Sequence, residues 1–352
     1  MQDIRTVLAV LVSCCLFSLA GFAAFVLISP PRTDFPLELF ENRAYEADPS
    51  AGYRLRKNVA TRNVFNSIIF DVFTDQHGVR VNKPGETVTD PAIITVGCSQ
   101  AFGQGIQNEK TFTQLLGAPA VNLSVPSYGT TSSLARLRSA SSLHPKFVIY
   151  ALWADHFYRN VQPCVEIGGP VCIERPYVRF VGSQPQIVAP HTTDADFLRA
   201  RDWFMQTSER TGAYRNFFTD MKWAVIVLWD RLSAKVTPDP SATHMLVAMN
   251  YLLGEMKATA DTMGAKLLVV YLPFYPNKEA IENPPQGLVS FLRTNGIAYI
   301  SMADAFRDML DKGVSIEQAN DMHMSEAAHE RIAREIRRAL PDLAVTQAAM
   351  AR

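Results

Sequence analysis

Three short runs that are apolar almost from end to end, residues 93–96, 146–152 and 266–272, most constrain what this chain can fold into. Each is rich in Val, Ile or Leu and bounded by polar or turn-forming residues, as buried strands are. Segments with helical spacing stand around them at 131–142, 242–263, 287–294, 303–310 and 325–340. Further strand candidates at 120–125 and 298–301 fall into the same alternation. Strands separated by helices argue for a parallel sheet covered on both faces.

The first run opens the most informative stretch, residues 93–106, which reads Ile-Ile-Thr-Val-Gly-Cys-Ser-Gln-Ala-Phe-Gly-Gln-Gly-Ile. The apolar residues stop at Gly97, and Ser99 sits just past the strand end, where open α/β sheets carry their chemistry. A helix is expected to start within 110–116, which places the serine between strand and helix. Gly103-Gln104-Gly105 lacks the third glycine of a dinucleotide-binding loop. Ala101 breaks the Gly-x-Ser-x-Gly elbow of a general α/β-hydrolase. A serine at a strand end serves more often as a helix cap than as a nucleophile, so its partners must be sought elsewhere.

The N-terminus carries a different signal. No charged residue occurs from Thr6 through Ser29, and residues 7–28 are almost wholly apolar. As a helix this segment is roughly 33 Å long, enough to cross a bilayer. A cleaved signal has a shorter apolar core; Ser18-Leu19-Ala20 is the candidate cleavage site on that reading, and an uncleaved anchor is preferred. The expectation is a single-pass protein of the bacterial inner (plasma) membrane, its bulk on the periplasmic side. Equal counts of acidic and basic residues, 34 of each, give no electrostatic case for nucleic acid. Cys164 and Cys172 flank a turn-rich segment suited to a small disulfide loop in an oxidising compartment, and without a histidine pair they make a poor zinc site. No metal and no cofactor is expected. Cys98 reads as a small buried residue.

Four segments follow: an anchor at 1–30, a small β-rich lead-in at 31–90, an α/β domain at 91–345 and a tail at 346–352. Residues 156–240 interrupt the alternation and read as an insertion, with a hairpin at 177–188 and helical character from 194 to 236.

Asp321-Met322-His323, directly before the last helix, supplies the partners that Ser99 requires. A neutral imidazole takes a proton from a serine hydroxyl, and a carboxylate on its other nitrogen fixes the tautomer. Residues two apart in an extended segment face the same side.

Read together, these pieces resemble the SGNH/GDSL-type hydrolases. The stretch from Gly97 to Gly105 is similar to the first block of that family. Asp48-Pro49 through Tyr53 and His77-Gly78-Val79-Arg80 are similar to the lead-in of exported bacterial members. The stretch from Asn122 to Gly129 resembles the second block, and that from Asp321 to His329 the last. The resemblance implies a three-layer α/β/α domain with a mainly parallel, flavodoxin-like sheet, and ester or acyl chemistry on carbohydrates or lipids. It makes Ser99 the nucleophile, His323 the base and Asp321 its orienting acid. Its oxyanion positions fall on the backbone N–H of Ser99, on Ser127 near Gly129, and on Ala154. The family asparagine is missing at 154, and loss of one such donor costs roughly 10²–10³ in rate. Asp155, His156, Arg159 and Asn160 are the replacements within the same loop.

Two functions are expected from this reading. One is a membrane-anchored extracytoplasmic esterase or O-acyltransferase acting on an acylated saccharide or lipid through an acyl-enzyme. The other is a degenerate domain of the same fold that binds glycan or a partner protein in envelope assembly.

Overall fold

The computed structural model describes residues 44–65, 68–166, 172–196, 242–275, 277–319 and 321–340. The anchor segment, the tail and nearly all of the helical part expected at 194–236 lie outside these residues. Among the described residues no helix is long and apolar enough to cross a membrane.

Sixteen strands and eight α-helices are described. The central sheet contains β3 (Ala60–Phe65), β4 (Ile68–Thr74), β5 (Arg80–Val81), β6 (Ile93–Val96), β7 (Ala120–Asn122), β8 (Phe147–Trp153), β13 (Lys266–Leu272) and β14 (Ala298–Ser301). Its order is β14-β13-β8-β6-β7-β5-β4-β3. The five strands from β14 to β7 are mutually parallel. Numbered along the chain among themselves, they run 2-1-3-4-5, the flavodoxin-like order. Beyond β7 the pairing turns antiparallel, and β5, β4 and β3, from the segment read as a lead-in, extend the same sheet.

Every residue of β6 and β8 is buried, because both faces of these strands are covered. On one face lie α3 (Thr130–Ser139), α5 (Ala242–Thr262) and α6 (Gln286–Thr294), whose Leu134, Met249, Leu252 and Leu288 join Ile94, Val148 and Val269 in one core. On the other lie α1 (Ser99–Phe102), α2 (Phe112–Leu115), α7 (Ala303–Asp311) and α8 (Glu326–Ala339), with Phe102, Phe306 and Ile332 packed against Ile93 and Ile149. This mixed α/β architecture with helices on both faces is the one that the alternation of runs predicts.

Smaller antiparallel pairs decorate it. A hairpin of β1 (Tyr45–Asp48) and β2 (Gly52–Leu55) precedes the sheet. Past the one-turn helix α4 (His156–Arg159), the insertion contributes β9 (Cys164–Glu166) with β10 (Cys172–Glu174), then β11 (Tyr177–Val181) with β12 (Gln184–Val188). Cys164 is disulfide-bonded, and Cys172 stands on the strand paired with it. Before α8 the chain forms β15 (Glu317–Gln318) and β16 (Asp321–Met324).

The helix expected to start within 110–116 is α2, a single turn from Phe112 that follows a 3-10 turn over Asn108–Lys110. The helix that matters starts at the serine itself, because Phe102 and Gly103 bond back to the carbonyls of Cys98 and Ser99 at 2.9 and 3.1 Å. Gly103, at φ +77°, ends it after one turn, a conformation a glycine adopts at no steric cost.

Candidate active site

The strand order reverses between β6 and β8, and such a switch point, outside the carboxyl ends of the strands, is where open α/β sheets bind ligands. Ser99 follows β6 at that point, and Trp153 and Ala154 close β8. The serine is 6% exposed and heads α1, with Cys98 extended before it and no side-chain cap. Gly97 is required by crowding: a Cβ there would meet Ala101 Cβ at 2.9 Å and Ala151 O at 3.2 Å. Cys98 lies in the core, and burial pushes its thiol pKa up, so the thiolate needed for nucleophilic attack is disfavoured.

The loop after α1 is held by a buried cation. Arg80 donates to Phe102 O, Gly103 O and Ile106 O at 2.5, 3.0 and 2.7 Å, and its guanidinium stacks over the Phe102 ring at 4.4 Å. Because α1 is one turn long, these carbonyls have no continuing helix to bond; Gly103 O accepts from Ile106 N–H at 3.2 Å, and the buried guanidinium serves all three. Burial lowers the Arg80 pKa to about 9, which leaves it charged at neutral pH.

Asp321 and His323 lie two apart on β16, on the same side as their spacing requires. The His323 Nδ1 stands 2.9 and 3.0 Å from the two Asp321 carboxylate oxygens. Their side chains are 12% and 3% exposed respectively. Donation from Nδ1–H to a buried carboxylate makes Nε2 the basic nitrogen of the ring.

Three side chains tie this strand to the serine and its surroundings. Gln100, next to Ser99 and 1% exposed, donates from Nε2 to Met322 O at 3.3 Å and accepts from Met324 N–H at 3.1 Å. The amide thus grips the backbone on both sides of His323, as a neighbouring strand would. Gln318 donates to Gln104 O at 2.6 Å and to Met324 O at 3.0 Å, spanning the two loops. Tyr275, on the loop after β13, donates to Met322 O at 3.1 Å. Gly105 makes room for the Gln318 side chain, since a Cβ there would fall 2.2 Å from Gln318 Oε1.

The turn between β7 and α3 carries the next group. Ser127 has φ +63°, the left-handed region in which the resemblance places a glycine. Its three consecutive carbonyls are each held by a buried or half-buried donor. Tyr53 Oη donates to Pro126 O at 2.5 Å, Arg175 Nη1 to Ser127 O at 3.2 Å and Arg159 Nη1 to Tyr128 O at 3.0 Å. Tyr128 returns a hydrogen bond from its hydroxyl to Tyr53 O. The two rings meet edge to face at 5.4 Å. Gly129 caps α3 from an extended conformation at φ −104°. Fixing the Pro126 carbonyl fixes the plane of its peptide, and with it the direction of the Ser127 N–H.

At position 154 the side chain is a methyl group, and the backbone N–H bonds to Leu272 O at 2.9 Å. The four neighbours expected to replace the missing amide part company here. His156 is fully buried, hydrogen-bonded through Nδ1 to Tyr150 Oη at 2.7 Å, and burial holds its pKa well below the ordinary imidazole value. Asn160 is fully buried and serves α3, accepting from Thr130 N–H at 2.8 Å. Asp155 pairs with Arg159. Arg159 has a donor edge to spare among the described residues: Nε faces Asp155, Nη1 faces Tyr128 O, and no described residue bonds to Nη2. Its guanidinium lies 4.9 Å over the Trp153 ring.

Sequence reasoning singled out Ser99, Asp321, His323 and Ser127; Gln100 and Tyr53 stood in its matched stretches without a role, and Gln318 and Arg175 were not noted. Gln100 had a signal in its position beside the serine; Arg175, in an insertion without periodicity, had none. His329, noted as the end of the last block, is a structural group: its Nδ1 accepts from Phe112 N–H at 3.0 Å, and burial depresses its pKa to about 3. Among the described residues no cluster of three His, Cys, Asp or Glu side chains is placed to hold a metal ion.

No protein family and no curated protein matches the chain. Among solved structures, one titled "Crystal Structure of TesA" aligns with a TM-score of 0.37 and 15% identity, covering 71% of this chain and 98% of that one. A likeness at this level bears no weight.

Proposed function

We propose that this chain is an SGNH-type serine esterase or O-acyltransferase, anchored in the bacterial inner membrane by residues 7–28, with its α/β domain in the periplasm. The observation that carries the reading is the Asp321–His323 pair, gripped on either side of the imidazole by the residue next to Ser99. Ser99 Oγ attacks an ester carbonyl while His323 Nε2 takes its proton, and Asp321 stabilises the imidazolium that forms. The oxyanion is met by the backbone N–H groups of Ser99 and Ser127. Collapse expels the alcohol, which receives the proton from His323, and leaves an acyl-serine. Water or a sugar hydroxyl then attacks that ester, again deprotonated by His323, to regenerate the serine. An acylated saccharide or lipid is the substrate class. Hydrolysis of p-nitrophenyl acetate by the full chain, abolished in Ser99→Ala and in His323→Ala, tests the chemistry. Absence of turnover in the folded wild-type protein contradicts it.

A second reading rests on Ala154, which offers no side-chain donor where the resemblance calls for one. On this reading the domain binds glycan or a partner protein without turnover. Full complementation of a deletion strain by Ser99→Ala supports it, whereas loss of complementation favours the enzyme.

A further inference from the structure

Arg159 and Arg175 do more than hold two carbonyls. They sit on consecutive residues of one turn, Tyr128 O and Ser127 O, so two guanidinium groups gather at a half-buried place. Arg175 is only 5% exposed, and it spends Nε on Gln162 O and Nη1 on Ser127 O. Its Nη2, like that of Arg159, has no hydrogen-bond partner among the described residues. Burial, and then the positive charge of Arg159, lower the Arg175 pKa to about 10; the acidic side chain it senses is Asp155. The neighbouring Glu174 is turned away, to the backbone N–H of His191 at 2.7 Å. His156 adds no charge, because burial and these same arginines keep it neutral. Two cations therefore face one carboxylate, an arrangement that costs free energy unless an anion completes it.

The pair lies on the turn that carries Ser127, and Arg159 is next to Trp153 at the end of β8. The Arg159 guanidinium stacks on Trp153, at the end of β8, and Trp153 meets Phe274 edge to face at 5.4 Å. Phe274 is 43% exposed, and the next residue, Tyr275, bonds to the carbonyl beside His323. Contacts thus run from Arg159 through Trp153 and Phe274 to the loop whose Tyr275 holds the carbonyl next to His323.

We propose that Arg159 and Arg175 form a carboxylate-binding subsite beside Ser99, so that the molecule processed or held here carries a carboxylate group. One uncompensated positive charge matches a monoanion, and guanidinium forks recognise carboxylates in pairs of parallel hydrogen bonds. The proposal rests on the reading above only in placing this subsite next to a reacting ester. The test is binding to the full-length Ser99→Ala protein in detergent, followed by calorimetry and by thermal shift. Glucuronate is the probe, and its uncharged amide, glucuronamide, is the control. Glucuronate is expected to bind at least about tenfold more tightly than the amide, and Arg159→Gln to remove that advantage. Because Arg159→Gln removes a carbonyl clamp and is open to misfolding, Asp155→Asn is the companion variant. It deletes the competing carboxylate and is expected to tighten glucuronate binding, a gain that misfolding does not imitate. Equal binding of acid and amide, no binding of either, or weaker binding in Asp155→Asn overturns the subsite. A chain that binds glucuronate in this way yet hydrolyses no ester keeps the subsite and loses the catalytic reading.

Discussion

Replacing Gln100 by methionine keeps the length and volume of the side chain and deletes both of its hydrogen bonds to β16. Met322 O retains the Tyr275 hydroxyl, so that carbonyl stays satisfied. Met324 is buried, and its N–H loses the acceptor at 3.1 Å. An orphaned buried donor costs about 1–3 kcal/mol, so a loss of about 2 kcal/mol in unfolding free energy is expected. The larger consequence is for His323: Tyr275 and Gln318 still hold the carbonyls of Met322 and Met324, but the only side-chain bond described to the Met324 N–H is gone, and with it the direct tie from β16 to the residue beside Ser99. Misplacement of a catalytic base by about 1 Å costs on the order of 10²-fold in rate. The assay pairs urea denaturation with the rate at which a fluorophosphonate labels the protein. Gln100→Glu separates the clamp from general damage. Its carboxylate accepts from Met324 N–H but opposes Met322 O, whereas the protonated acid restores the donor. Its labelling defect is therefore expected to shrink as pH falls, relative to wild type, and that of Gln100→Met is not. Wild-type labelling rates in Gln100→Met refute the clamp, even if stability falls.

Four further outcomes follow from the same geometry. Tyr53→Phe removes the bond to Pro126 O and is expected to cost about 1 kcal/mol and to slow p-nitrophenyl acetate hydrolysis more than it raises KM; unchanged kcat contradicts a role in aiming the Ser127 N–H. Ser127→Gly relieves a left-handed φ and is expected to keep activity and gain up to about 1 kcal/mol, read from the urea midpoint. Gly105→Ala puts a methyl group onto Gln318 in a backbone conformation unfavourable to alanine, and is expected to lower both Tm and labelling rate. His329 is held neutral down to a pKa of about 3 against an ordinary value of about 6.5. Between these values the unfolded chain binds a proton that the folded chain does not, so stability is lost as pH falls below about 6.5. His329→Gln is expected to flatten that acid limb of Tm against pH, and an unchanged slope contradicts the assignment.

How much of this was legible in the sequence depended on whether the signal was local. The runs that became β6, β8 and β13 are continuous and apolar because both faces of each are buried, and that property is written in consecutive residues. The one-turn helix at Ser99 was not legible: its four residues have no periodicity, and its carbonyls are satisfied by Arg80 from a distant strand. Gly103 and Gly105 invited comparison with a nucleotide loop, yet the first ends a helix and the second clears space for Gln318. Asp321 and His323 could be paired by spacing because an extended segment places alternate residues on one side. By contrast, the clamps on Pro126, Ser127 and Tyr128 come from three separate segments of the chain. Only tertiary packing brings Tyr53, Arg159 and Arg175 together. His156 and Asn160 were attractive as polar residues near the strand end, but α4 turns both into the interior, where they support Tyr150 and the start of α3.

The most direct test of the central claim is to locate a fluorophosphonate adduct on the full-length protein by tandem mass spectrometry. The account predicts one adduct, on Ser99, absent in Ser99→Ala and formed far more slowly in His323→Ala while that variant remains folded. An adduct on another residue, or none on a folded wild-type chain, contradicts it.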